Sequence, residues 1–299
     1  MKLFQIKFVA ILLPLFLCLG CENDATVEPP PFVKKPVFTS LISPQGDSIQ
    51  VMAYYTTPYW GKTTGEVDPI GDAIITVTDL TTAQTVAITL IYPGLYGIPV
   101  TNMPIVNGHA YVMEAKMSNG QVFKAKTIVP PAPDVTKMVV TNSSVSVPNQ
   151  NSGVFGQGTE SNTLTLRMDY LGNLGKDNFV SPHLNATFEN ANLDQLNVPI
   201  YFDMDFNFLE GNSENKVEYF TQQDFFSGWG QNGPWHLVQL DGAIYTADKA
   251  FKYYNISQFN SQNGADFFSE PQPVIGNFSE GALGVFASYS YATGIVYKK

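Results

Sequence analysis

Between Ser48 and Tyr55 the chain alternates: Ile49, Val51 and Ala53 fall on one face, Ser48 and Gln50 on the other. A repeat of two is what a pleated strand needs when one face is buried, and a helix would scatter those residues around its axis. The same alternation returns in Asp72–Asp79 and in Thr163–Tyr170, where Leu164, Leu166 and Met168 share a face. Turn signals punctuate these runs at Pro44–Asp47, Pro93-Gly94, Asn107-Gly108 and Asn119-Gly120. Asn119-Gly120 is the strongest, because a type I′ hairpin turn needs positive φ at both central residues. Phe38–Ile42, Thr85–Tyr92, Gly108–Met117 and Gln121–Val129 complete the strand set. Strands at this spacing predict an antiparallel sandwich of the immunoglobulin or transthyretin kind, with about seven strands, over residues 37–133. The prolines at 130, 131 and 133 end its last strand and mark a boundary.

Residues 134–299 read as a second β-rich domain. Strands are expected at Val135–Val147, Thr163–Tyr170, Val198–Leu209, Lys216–Phe226, Pro234–Tyr245 and Gly281–Tyr291, with Leu171–Asn185 irregular. One short helix is expected near residues 247–261, capped by Thr246 with Asp248 in its first turn. Phe251, Tyr254 and Gln258 give that helix an inward edge. The fold class is therefore mainly all-β, two antiparallel β domains with a single helix in the second.

The first 36 residues carry an address. Lys2 and Lys7 precede an apolar run, Phe8–Leu19, broken only by Pro14. That run is short of the roughly 20 residues a membrane span needs, and it matches a cleaved export signal over residues 1–20. It ends in Gly20-Cys21. That is a lipoprotein junction, in which the Cys21 thiol takes up the acyl chains that hold the protein to a bilayer. Leu19 stands two residues before the cysteine, where such junctions usually place leucine three before, and Cys18 occupies the leucine position. A plain secretory signal with an incidental cysteine is the competing reading. Cys18 and Cys21 are the two cysteines of the chain, so the exported protein folds with neither a disulfide nor a free thiol. Residues 21–36 form an acidic tether, with Glu22, Asp24, Glu28, Pro29, Pro30, Pro31 and Pro36, and proline runs of this kind favour an extended spacer.

Charge excludes one class of partner. The chain has 16 Lys+Arg against 26 Asp+Glu, and loss of Lys2 and Lys7 with the signal moves the net charge from −10 to −12. An acidic surface without a basic stripe repels phosphate backbones, so nucleic acid is not an expected partner.

The acidic residues after Cys21 resemble the signal that sends lipoproteins of Bacteroidota to the outer cell surface. Several further segments carry a wider resemblance: Asp72–Asp79, Pro93–Tyr96, Thr127–Pro130, Tyr253-Tyr254, Phe268–Pro271, Asn277–Gly281 and Gly284–Ala287. Together they resemble a family of uncharacterised outer-membrane lipoproteins of Bacteroidota that are encoded beside TonB-dependent receptors. Gly281 and Gly284 stand for the paired glycines of its C-terminal motif, here separated by Ala282 and Leu283. The resemblance implies a lipid-anchored surface partner of a TonB-dependent receptor, and it brings no catalytic residues.

The candidate chemistry is sparse. His109, His183 and His236 lie far apart, with no metal-site spacing, and neither a GxSxG elbow nor an HExxH pair occurs. No enzyme activity is expected. Asp203, Asp205 and Asn207 would project from one face of a strand, and oxygen ligands so spaced make Ca²⁺ the one candidate cofactor. Phe208 stands where an EF-hand loop needs glycine, and a solvated strand face is the competing reading. Tyr59 and Trp60, and Trp229 and Trp235 around the glycine-rich turn 228–233, are candidates for gripping a ligand, because rings bury area with little entropy loss. Filling the core is their alternative role. The expected function is an outer-membrane lipoprotein, probing outward, that captures or guides a ligand for a TonB-dependent transporter. A structural or adhesive surface protein with no transport partner is the rival.

Overall fold

The computed structural model describes residues 31–57, 67–146, 161–172, 178–200, 209–210, 217–226, 234–263 and 274–299. The chain divides into two units. One comprises residues 1–34 with 58–65, of which only the exposed residues 31–34 are described. The other, residues 35–57 with 66–299, holds all the secondary structure that follows.

Among its described residues that unit is all-β with one α-helix. Its first strands are β1 (Pro36–Ile42), β2 (Ser48–Tyr55), β3 (Asp68–Pro69), β4 (Ile74–Asp79), β5 (Thr85–Tyr92), β6 (Leu95–Pro99), β7 (Ala110–Lys116) and β8 (Val122–Ile128). Then come β9 (Met138–Ser146), β10 (Ser161–Tyr170), β11 (Asn178–Glu189), β12 (Gln195–Ile200), β13 (Leu209–Glu210), β14 (Val217–Phe226) and β15 (His236–Asp248). The helix α1 (Lys249–Asn263) and the long strand β16 (Leu283–Lys298) end the chain. Among the described residues no helix is long and apolar enough to cross a membrane.

Strands pair in the order β12-β11-β15-β16-β1-β2-β6-β5-β4-β7-β8, with β3 beside β2 and β13 beside β11, and β14-β10-β9 form a separate sheet. β5 and β16 each change partner midway. Residues 85–88 of β5 pair with β4, while 89–92 pair with β6, which folds the early strands over into a sandwich. Residues 283–288 of β16 run parallel to β1, and 289–298 run antiparallel to β15.

The alternation places the core as the sequence predicts. Ile49, Val51 and Ala53 of β2 meet Ile75 and Val77 of β4 and Tyr111, Met113 and Ala115 of β7 in one core, which Phe286 of β16 joins. Leu164, Leu166 and Met168 face a second core with Val180, Leu184, Phe188, Leu240 and Ile244, against which Val296 and Tyr297 of β16 pack. One strand thus contributes to both.

Several expectations change. Residues 178–185, within the stretch 171–185 expected to be irregular, form most of β11 (Asn178–Glu189), which is paired on both sides. Pro182 hid it, since proline in a central strand removes a ladder donor. Pro182 is tolerated because β13 pairs with residues 179–180 and β12 with 184–189, which leaves 181–183 unpaired on that side. The hairpin at Asn119-Gly120 forms, but only Gly120 has positive φ, at +86°. Met117 N–H bonds to the Gln121 carbonyl at 2.8 Å, so the loop has three residues with glycine in the left-handed position. The expected strand 198–209 is observed as β12 and β13, and residues 201–208 lie outside the described residues.

Candidate functional site

β15 runs straight into α1, and its last residue is the helix cap. Asp248 Oδ1 accepts the Phe251 amide hydrogen at 2.8 Å, an aspartate capping the third amide of the helix. Thr246, the cap expected from sequence, instead sits in β15 and donates its hydroxyl to the Pro131 carbonyl at 2.7 Å. The capping carboxylate is 7% exposed.

Its other oxygen meets the Thr127 hydroxyl of β8 in a very short hydrogen bond. Thr127 Oγ1 lies 2.6 Å from Ser288 Oγ of β16, and Ser288 donates to the Ile128 carbonyl at 3.0 Å. Beside them Asn107 Nδ2 reaches Ser290 Oγ and the Pro130 carbonyl, each at 2.7 Å. A polar seam thus ties β8, β15, β16 and α1 together. Burial pushes the Asp248 carboxyl up to about 6, although Thr127, the Phe251 amide and Ser288 all pull it the other way.

A cavity of about 560 Å³ opens over this seam. Lys126, Ile128, Asn178, Lys249, Tyr253 and Asn277 line it, together with Asp248 and Thr127 of the seam. Asn277 is a fixed part of the wall. Its amide donates to the carbonyls of Lys126 at 2.9 Å and Phe286 at 2.8 Å, and its oxygen accepts the Phe286 amide hydrogen at 2.9 Å. The Lys249 ammonium lies 5.8 Å from the Tyr253 ring centroid, within cation–π reach. Among the described residues the ion pairs are His109–Asp79 and Lys124–Glu114, and neither Lys126 nor Lys249 takes part. A lining that joins apolar side chains to two lysines is of the kind that holds small molecules.

Cys21, Tyr59, Trp60, Asp203, Asp205, Asn207 and Trp229 lie outside the described residues. Trp235 is 1% exposed and belongs to the second core, so the expectation that it grips a surface ligand gives way to a packing role. Its neighbour in that core, Phe225, stacks on Phe188 with centroids 4.3 Å apart. His109 Nδ1 lies 2.9 Å from Asp79 Oδ2, an arrangement that orients an imidazole, but among the described residues no hydroxyl bonds the His109 ring. The cavity itself was missed. Its lining comes from residues 126–128, 178, 248–253 and 275–277, which only the fold brings together. Asp248, ahead of a helical run, was the one legible sign.

No curated protein matches the chain. Among solved structures, a selenomethionine-substituted chicken interferon gamma receptor alpha chain is similar over 71% of this chain and 88% of that one, at 8% identity and a TM-score of 0.21. A likeness that slight bears on neither fold nor function. The family comparison is decisive: the profile of the domain of unknown function DUF4249 matches residues 23–295, and the chain belongs to that family.

Proposed function

We propose that this protein is an outer-membrane lipoprotein, acylated at Cys21 and facing outward, that captures a ligand for a TonB-dependent transporter. The observation that carries the reading is the order of parts along the first 36 residues. An apolar run ends at Gly20-Cys21, an acidic proline-rich spacer follows, and β1 begins at Pro36. Fifteen residues of fully extended chain reach about 50 Å, enough to hold a folded body clear of a bilayer. The cavity above the Asp248 seam supports the capture half of the reading.

The test is a pull-down from gently solubilised outer membranes through a tag after Lys299, with intact cells treated in parallel with protease. A stoichiometric barrel partner and loss of the protein from intact cells are expected. A protein shielded from protease, or recovered alone, overturns the transporter reading. Recovery alone from an accessible surface favours the adhesive or structural role instead.

A further inference from the structure

We propose that the cavity between α1, β8 and residues 275–277 binds a small amphiphilic monoanion, a carboxylate carried on a short apolar chain. The biological setting rests on the capture reading above, and the chemistry rests on the cavity alone.

Charge is the first argument. In a chain with 26 acidic and 16 basic residues, two lysines converge on one cavity, and neither is neutralised by an ion pair among the described residues. The carboxylate in the wall, Asp248, has both oxygens committed, one to Thr127 and one to the Phe251 amide. Among the described residues, two ammonium groups set against one carboxylate leave a single positive charge for a ligand to match. That balance suits a monoanion better than a phosphate ester. A phosphate is also commonly held by an arginine fork, and among the described residues no arginine lines the cavity.

The apolar wall is the second argument. Ile128 is 52% exposed, Ile275 53% and Tyr253 39%, and all three line the same cavity. Three large apolar side chains left open to water beside two cations are what the tail of an amphiphilic anion would cover. The volume, about 560 Å³, falls within the range of about 300–1,000 Å³ typical of small-molecule sites. The wall is also preformed: Asn277 is bonded to both β8 and β16, so the site needs little ordering before a ligand enters.

The experiment uses the full chain carrying Cys21→Ser, which stays free of acyl chains. It is titrated calorimetrically with octanoate, with octanamide as a neutral equivalent, and with inorganic phosphate as a charge without a tail. Octanoate is expected to saturate one site, with octanamide and phosphate each at least tenfold weaker. The double variant Lys126→Ala/Lys249→Ala is expected to weaken octanoate at least tenfold with an unchanged melting temperature. Should that pair disturb folding, Ile275→Asp tests the same site from its apolar side and is expected to lose octanoate as well. Absence of saturable octanoate binding, equal binding of octanamide or phosphate, or wild-type affinity in the folded variants overturns the proposal. None of these readings involves a membrane or a barrel, so failure here is distinct from failure of the transporter reading.

Discussion

Gly284 and Phe38 face each other across the parallel ladder between β16 and β1, and a side chain on Gly284 would run into the Phe38 carbonyl oxygen. The Phe38 backbone carbon and nitrogen would lie 2.7 and 2.8 Å from the added carbon. Gly284 also has φ of +100°, where a side chain is strained whatever the space. Gly284→Ala is therefore expected to cost about 3 kcal/mol or more, or to prevent folding. Gly108→Ala is the control. Its φ is +78° but no described residue would lie within 4 Å of the added carbon, so only the backbone penalty of about 1–2 kcal/mol should appear. Urea midpoints of the two variants measure the difference.

Asp248 should make the protein more stable in mild acid. With Asp248 ionised, the two hydroxyl protons of Thr127 and Ser288 serve three close oxygen contacts. A proton on Asp248 completes a one-way chain from carboxyl to Thr127 to Ser288 to the Ile128 carbonyl. The folded value near 6 lies above the ordinary 3.8. The contribution is thus fully present below about pH 3.8 and is lost as pH rises through 6. Its size is at most about 3 kcal/mol, at roughly 1.4 kcal/mol per pH unit. Asp248→Asn keeps an acceptor for the helix cap and should flatten stability between pH 4 and 6. An unchanged slope in denaturation curves across that range refutes the assignment.

Asp79 should act in the opposite sense. Burial raises its carboxyl, but the side chains of His109 and Thr82 and the Thr81 amide more than offset this, and the net value lies below 3.8. Its stabilisation is present above about pH 3.8 and disappears as pH falls below that. Asp79→Ala removes the acceptor for Thr81 N–H at 2.8 Å, the Thr82 hydroxyl at 2.9 Å and His109 at 2.9 Å. A loss of about 2–4 kcal/mol at pH 7 is expected, read from the urea midpoint.

Trp235 offers a test of packing against binding. Its ring is fully buried, and among the described residues its Nε1 has no hydrogen-bond partner. Trp235→Ala should cost about 3–5 kcal/mol through the cavity it leaves, while Trp235→Phe should cost much less because it also removes an unpaired N–H. Thermal melts rank the two. Octanoate affinity should be the same in Trp235→Phe as in the parent chain.

Strands whose side chains alternate were legible in the sequence. Ser48–Tyr55 was bounded correctly, and Leu164, Leu166 and Met168 do share a buried face; Thr85–Tyr92, which does not alternate, was bounded correctly by the turn at Pro93-Gly94. Other strands that break the pattern were not. β6 spans only Leu95–Pro99 and contains Gly97, where Ile91 packs so close that a side chain would collide. β11 was concealed by Pro182, whose acceptability depends on a gap between two partner strands that no local pattern records. The cavity was illegible for the same kind of reason. Lys126 and Asn277 meet through a carbonyl–amide bond across 151 positions of sequence, and the roles of both depend on how β8 lies beside β16.

The strand nearest the N-terminus lies parallel to the strand nearest the C-terminus, with six registered pairs from Val37–Leu283 to Ile42–Ser288. In a hairpin, tension at the ends peels one rung at a time. When the start of β1 and the end of β16 are drawn apart, every rung between them slides together, and all must yield at once. β2 grips the other side of β1. A load applied between the residues before Pro36 and the end of β16 therefore meets shear resistance along this ladder rather than unzipping.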